Sequence, residues 1–162
     1  MSKLKEIILC LAIIFIGALL GGSLYDSIVL APNFRVGIPQ SLEHLRLFMT
    51  VANPGNFFRT IAPLTQLSIL ISLIFGWRHP AGRRWWLMLT LALIIAADVI
   101  TFTFHYPRNA LLFHDPMHTP PATLEKAARE WAYGNYLRIL LVGVAMASAI
   151  KALLLNRRVQ DA

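Results

Sequence analysis

Four ionisable side chains, Asp26, Arg59, Asp98 and Arg138, stand inside or at the edge of long apolar runs. An ionisable group in such a run is costly and normally faces a bundle interior or a cavity. Each belongs to a set of polar, small or aromatic residues spaced by three and four, which puts each set on one helix face. Gly17, Gly21 and Tyr25 form one such set, with Gly22 and Asp26 beside it. Asn56, Arg59, Pro63 and Gln66 form the second, Asp98, Thr101 and His105 the third, and Trp131, Asn135 and Arg138 the fourth. The chemistry open to these types is acid–base: His105 or Asp98 to remove a proton, with Arg138, Asn135 and Asn109 to stabilise an oxyanion at low dielectric. Tyr25, Trp131, Tyr133 and Tyr136 would supply aromatic walls for a planar apolar ligand, with Asp26, Arg59, Gln66 and Thr101 as polar contacts.

The elements that position these residues follow from composition. The chain has 162 residues, 57% hydrophobic and 14% charged, with a mean hydropathy of +0.60. A soluble domain carries about 25% charge, so a soluble enzyme, a secreted domain and a disordered chain are all excluded. Four spans are expected, at residues 7–30, 56–76, 85–105 and 131–155, each long enough for a hydrocarbon core of about 30 Å. Pro32 and Pro107 are expected to stop the first and third. The uncharged run Ile7–Tyr25 exceeds a signal peptide's apolar region of about 7–15 residues, so it reads as a retained helix.

The net charge of +7 lies beside the apolar runs, which points to membrane topology and not to nucleic acid. Lys3, Lys5, Arg78, Arg83, Arg84, Lys151, Arg157 and Arg158 fall on one side, against Glu6 and Asp161. That bias places both termini and the Trp77–Arg84 loop in the cytoplasm, with Trp77, Trp85 and Trp86 at the interface. The expected fold is all-α: one integral membrane domain over residues 1–162, an antiparallel four-helix bundle. A multi-pass protein of the cell membrane, in the simplest case a bacterial inner membrane, fits this pattern. Short helices are expected in the outer loops, one carrying Leu42, Leu45 and Met49 on one face. In the other loop, Thr123 and Glu125 precede a helical run into the fourth span.

The polar sets all lie in the outer halves of the spans, while the inner halves are almost wholly Leu, Ile, Val and Ala. Counting helix rise from the span ends puts Asp26 and Arg59 roughly 5–6 Å below the outer edge, and Asp98 and Arg138 roughly 10 Å. The expected ion pairs are Asp26–Arg59 and Asp98–Arg138, with exchanged partners open. A polar line crossing the whole membrane is absent, which disfavours ion transport by a single copy; a homo-oligomer stays open. Polar residues and Gly17-x-x-x-Gly21 also serve simple helix packing.

Other chemistry is thinly represented. The single cysteine, Cys10, excludes a paired-thiol oxidoreductase. His114-x-x-x-His118 has a helical metal spacing, and with His105 it forms an alternative metal set, but Pro116 interrupts it. Haem would need histidine pairs on facing helices. His44 and His79 read as solvated. P-loop, GxSxG, HExxH and dinucleotide fingerprints are absent.

Two segments carry a family likeness. Thr101-Phe-Thr-Phe-His-Tyr-Pro107-Arg-Asn109-Ala-Leu-Leu resembles a "T…vPxNxxL" segment, and Trp131-Ala-Tyr-Gly-Asn135-Tyr-Leu-Arg138 resembles a "W…NxxR" segment. Gly21-Gly-Ser-Leu-Tyr25 with Pro32, and Asn53-Pro54-Gly-Asn-Phe-Phe with Pro63-Leu64, are similar to weaker marks of the same group. The group is the anthrone-oxygenase-like family of small four-helix membrane proteins. The resemblance implies oxidation of a phenolic, quinol-like or anthrone-like aromatic without an evident cofactor, and it singles out Pro107, Asn109, Asn135 and Arg138. Tyr136 stands where the family often has His, and Ala110 where it often has a second Asn; His105 is the substitute base. The alternative from another class is a non-catalytic membrane protein that binds a lipid, a quinone or a protein partner.

Overall fold

The computed structural model describes residues 3–77 and 81–158. Arg78, His79 and Asp161, assigned above to a basic loop and a tail, lie outside the described residues. Five helices carry the fold. Helix α1 runs Lys3–Tyr25 and continues through a wide turn, Asp26–Leu30, into Ala31–Arg35. Helix α2 is Gln40–Phe48 and α3 is Pro54–Gly76. Helix α4 runs Ala81–Ile100, then a second wide turn, Thr101–His105, then Tyr106–Phe113. A short 3₁₀ turn at Pro116–His118 precedes α5, Pro121–Arg158. Four of these helices (α1, α3, α4 and α5) are long and apolar enough to cross a membrane, and the chain reads as a membrane protein. The exposed faces of these four are rich in large apolar side chains such as Ile14, Leu67, Ile95 and Leu140, as lipid contact requires and water does not.

Pro32 and Pro107 do not stop their helices. A proline inside a regular helix removes one hydrogen bond and presses its ring on the carbonyl four residues earlier. Both helices absorb the defect in a π turn, with the residue before each proline reaching back five positions. Ala31 N–H donates to the Asp26 carbonyl, and Tyr106 N–H donates to the Thr101 carbonyl. Helix α3 starts cleanly, with Pro54 in its first turn and the Asn53 N–H donating to Asn56 Oδ1 at 3.1 Å.

The four long helices pack in a ring, α1 on α3, α3 on α4, α4 on α5, and α5 on α1. The main core lies inside it and is built from Leu9, Ile16, Ile69, Leu87, Ile94 and Ala145 among others. A second core, Ala31, Phe34, Leu42, Leu112, Leu124 and Trp131, closes one end. There α2 packs on the last turns of α1, the end of α4 and the 3₁₀ turn. The end of the ring opposite α2 is not purely apolar. Arg83, expected in a surface loop, sits in the first turn of α4 and is 2% exposed. Gly76 at the end of α3 has no side chain to obstruct its guanidinium.

Candidate functional site

A cavity of about 790 Å³ lies at the α2 end of the ring. Small-molecule sites run from about 300 to 1,000 Å³ and are mostly apolar with a few placed polar groups. Of the site residues expected from the sequence, Asp26, Arg59, Gln66, Asp98, Thr101, His105, Asn109, Trp131 and Arg138 are all on its wall, and Tyr25, Tyr133, Asn135 and Tyr136 are not. The two π turns set two of them. Asp26 opens the first and His105 closes the second, so each sits where the helix locally widens and re-aims its side chains. π turns inside α-helices are frequent at functional sites.

The electrostatic centre is Arg138, itself buried. Its Nη2 donates to Asp26 Oδ2 at 3.3 Å, and its guanidinium lies over the Phe58 ring, 4.4 Å from the centroid. Neither first-choice pairing forms, and of the exchanged ones, left open by the sequence, only Asp26–Arg138 does. Asp98 accepts a hydrogen bond from the Gln66 amide and lies within electrostatic range of Arg138 without touching it. Arg59 turns its Nε to the Gly55 carbonyl at 3.2 Å and is exposed. Helices α1 and α4 continue through Pro32 and Pro107, so those prolines do not mark the outer edge from which axial depth is measured.

His105 is 1% exposed, edge-on to Trp131 at 5.3 Å and to Phe104 at 5.8 Å. Its ring nitrogens make no well-aligned hydrogen bond, with the Gly134 backbone passing alongside. Gly134 is required for this approach: a Cβ there would stand 2.6 Å from the Phe104 ring and 3.2 Å from His105 Nε2. Trp131 donates its indole N–H to Asn109 Oδ1 at 2.8 Å and meets Phe34 edge-on at 5.5 Å. The Arg138 Nε is buried with no protein partner. Buried polar atoms without partners are rare, and both His105 and Arg138 lie on this cavity wall.

Asn135 stands apart. It is fully buried, and its amide donates to the Ser23 carbonyl at 2.9 Å and to Ser27 Oγ at 2.7 Å. It ties α5 to α1 and does not reach the cavity. Tyr25, Tyr133 and Tyr136 are 54%, 72% and 57% exposed, so they wall no interior site. The aromatic walls are instead Phe34, Phe58, Phe102, Tyr106, Phe113 and Trp131. Phe34, between Asn33 and Arg35, and Phe58, beside Arg59, belong to none of the stripes spaced by three and four, so spacing carries no signal for them. Among the described residues, no three His, Cys, Asp or Glu side chains group to hold a metal. His114 and His118 are both exposed, and His118 pairs with Asp115, away from buried His105.

Comparison with known proteins adds one finding. The sequence model of a family described as anthrone oxygenase matches residues 48–148. No curated protein and no solved structure matches the chain. The matched stretch takes in α3, α4 and most of α5, and with them Arg59, Asp98, His105, Asn109, Trp131 and Arg138. The two positions that depart from the family's usual pattern, Ala110 and Tyr136, are both exposed and off the cavity wall.

Proposed function

Because the chain belongs to the anthrone oxygenase family, we propose that it is a membrane oxidoreductase acting on a phenolic, quinol-like or anthrone-like aromatic bound in the cavity at the α2 end. The observation that carries this reading is the convergence of His105, Asp98 and Arg138, from two different helices, on one aromatic-walled cavity. His105 or Asp98 takes a proton from the activated ring methylene, which leaves an anion spread over the ring system. Arg138 stabilises the negative oxygen of that anion at low dielectric. Dioxygen then bonds to the carbanionic carbon as a hydroperoxide, whose loss of water with the second methylene proton leaves a carbonyl. The balance is one methylene and one O₂ to one C=O and one H₂O. Gln66 holds the Asp98 carboxylate and Trp131 packs on His105, so both candidate bases are oriented before substrate arrives.

On this reading the protein sits in the cell membrane, in the simplest case a bacterial inner membrane, with both termini cytoplasmic and the cavity in the outer half. No cofactor enters the scheme, and the partner is an apolar small molecule drawn from the membrane.

The test is turnover in nanodiscs. Anthrone is supplied in air-saturated buffer and anthraquinone formation is followed by absorbance, against protein-free discs for autoxidation. Wild-type protein is expected to exceed the blank. His105→Gln and Asp98→Asn separate the two bases: the true base loses at least about 10²-fold, the usual contribution of a positioned general base. Tight anthrone binding with turnover no faster than the blank would instead favour the non-catalytic binding role.

A further inference from the structure

A second cavity, about 630 Å³, lies beside the first on the α1–α3 side of the ring. The two share a wall made of Asp26, Leu30, Leu45, Met49, Asn53, Pro54 and Phe58. The rest of the second cavity's lining is Gly21, Gly22, Tyr25, Phe48, Ala52 and Phe57, which carries no charge. Tyr25, Phe48 and Phe57 are 54%, 83% and 40% exposed, so this lining continues onto the outer surface of the bundle. In a helix pair that crosses a membrane, that surface faces lipid.

Between the two spaces stands a pair of rings. Phe57 and Phe58 pack edge-to-face at 5.2 Å. Phe58 carries the Arg138 guanidinium on its ring and lines both cavities, while Phe57 lines only the outer one. Gly22 on α1 makes room for both: a Cβ there would stand 2.7 Å from the Phe57 ring and 3.2 Å from that of Phe58. The α1–α3 seam is thus closed at this level by two aromatic side chains against a bare backbone. Side-chain rotation of exposed residues takes picoseconds to nanoseconds, whereas separating packed helices is far slower.

We propose that the outer cavity is a lateral vestibule, through which an apolar aromatic passes from the bilayer between α1 and α3, past Phe57 and Phe58, to the inner cavity. The proposal rests on the binding reading above, and it adds the route. Such a molecule partitions into lipid, and an uncharged lining spares it any desolvation of ions until it meets Asp26 at the shared wall and Arg138 in the inner cavity beyond.

The test uses the full chain in nanodiscs with Trp77, Trp85 and Trp86 replaced by Phe, so that Trp131 in the inner cavity reports alone. Anthraquinone is the probe, mixed in by stopped flow, and its quenching of Trp131 gives association and dissociation rates. Gly21 and Phe57 line the outer cavity and no part of the inner one, and a Cβ at Gly21 meets no atom within 4 Å, so changes there act on the route while Phe58 and Arg138 keep their places. Gly21→Leu, which fills the vestibule without touching the Phe57–Phe58 pair, is expected to slow both rates by about tenfold at unchanged Kd, as a ~1.4 kcal/mol rise of the barrier alone gives. Phe57→Ala, which removes a ring without adding bulk, is expected to speed both at unchanged Kd. Normal quenching with rates unmoved by both substitutions overturns the vestibule and leaves the binding reading standing. No quenching of Trp131 in the otherwise wild-type chain at any probe concentration overturns both.

Discussion

Arg138 on α5 reaches Asp26 on α1 across 112 positions of sequence, Nη2 to Oδ2, at 3.3 Å. Neither partner has solvent to fall back on, since Asp26 is 4% and Arg138 7% exposed. The contact forms where Pro32 forces α1 to widen, so a backbone defect and an ion pair occupy the same level. It joins the helix outside the matched family stretch to the one inside it, and it fixes the guanidinium that the proposed reaction needs.

The cost of breaking that pair is unequal to the cost of removing it. Arg138→Met leaves the Asp26 carboxylate buried without its cation, and such single removals cost about 3–5 kcal/mol. Asp26→Asn with Arg138→Met removes both charges and is expected to recover most of that loss. Reversible unfolding in detergent, with helicity as the readout, checks both. A double variant as unstable as Arg138→Met shows that packing of the guanidinium on Phe58, and not charge, holds the seam. Either variant is expected to lose turnover.

Asn135 separates stability from chemistry. Its amide N–H groups are spent on Ser23 and Ser27, while its Oδ1 is buried without a partner, so Asn135→Ala removes both of these links from α5 to α1 and is expected to lower stability by about 1–3 kcal/mol. The folded fraction should keep the wild-type kcat, because Asn135 does not touch the cavity. Normalising turnover to folded protein decides the matter. A kcat loss of more than tenfold at full folding would return Asn135 to the reacting groups.

The convergence of four polar stripes was legible in the sequence for a physical reason. Lipid cannot solvate Asp26, Asp98 or Arg138, so their spacing on separate helices obliges them to meet. Which of them touch was not legible, because pairing depends on axial position and the count assumed that each proline ends a helix. The π turns at Asp26–Leu30 and Thr101–His105 keep both helices going and shift the register. Nor was the role of Phe58 visible, since it depends on a guanidinium arriving from α5. Arg83 was misread because its neighbours Arg78 and Arg84 made a basic loop the natural reading. Gly76, a side-chain-free position at the end of α3, was the available signal that something large packs there.

That glycine gives a third prediction. A Cβ at position 76 would collide with the buried Arg83 guanidinium. Gly76→Ala is expected to destabilise by about 1–3 kcal/mol, the usual cost of overpacking. Arg83→Met shortens and neutralises the intruding side chain, so Gly76→Ala is expected to cost much less in that background. Thermal unfolding of the four proteins of this double-mutant cycle measures the coupling. Additive costs would mean that α3 and α4 are free to move apart, and that Arg83 does not fasten them.

The last prediction concerns pH at the α2 end, outside the spans. His118 Nδ1 lies 2.8 Å from Asp115 Oδ1, in the 3₁₀ turn on which α2 packs. The hydrogen bond to the carboxylate raises the His118 pKa above 6.5, and the same bond holds that of Asp115 below 3.8; His114 and the Glu43–Arg46 pair add weaker fields. A raised His pKa contributes stability that is complete below 6.5 and is lost as pH rises through the folded value. The lowered Asp pKa contributes stability that is complete above 3.8 and is lost as pH falls through the folded value. Both contributions are therefore present together between those limits, and raising pH through neutrality releases the turn first. Proton NMR of the His118 ring in micelles, assigned with His118→Gln, should give a midpoint above 6.5 that returns to about 6.5 in Asp115→Asn. A wild-type midpoint at or below that value would show the pair unformed in solution, and α2 held by Leu42 and its apolar neighbours alone.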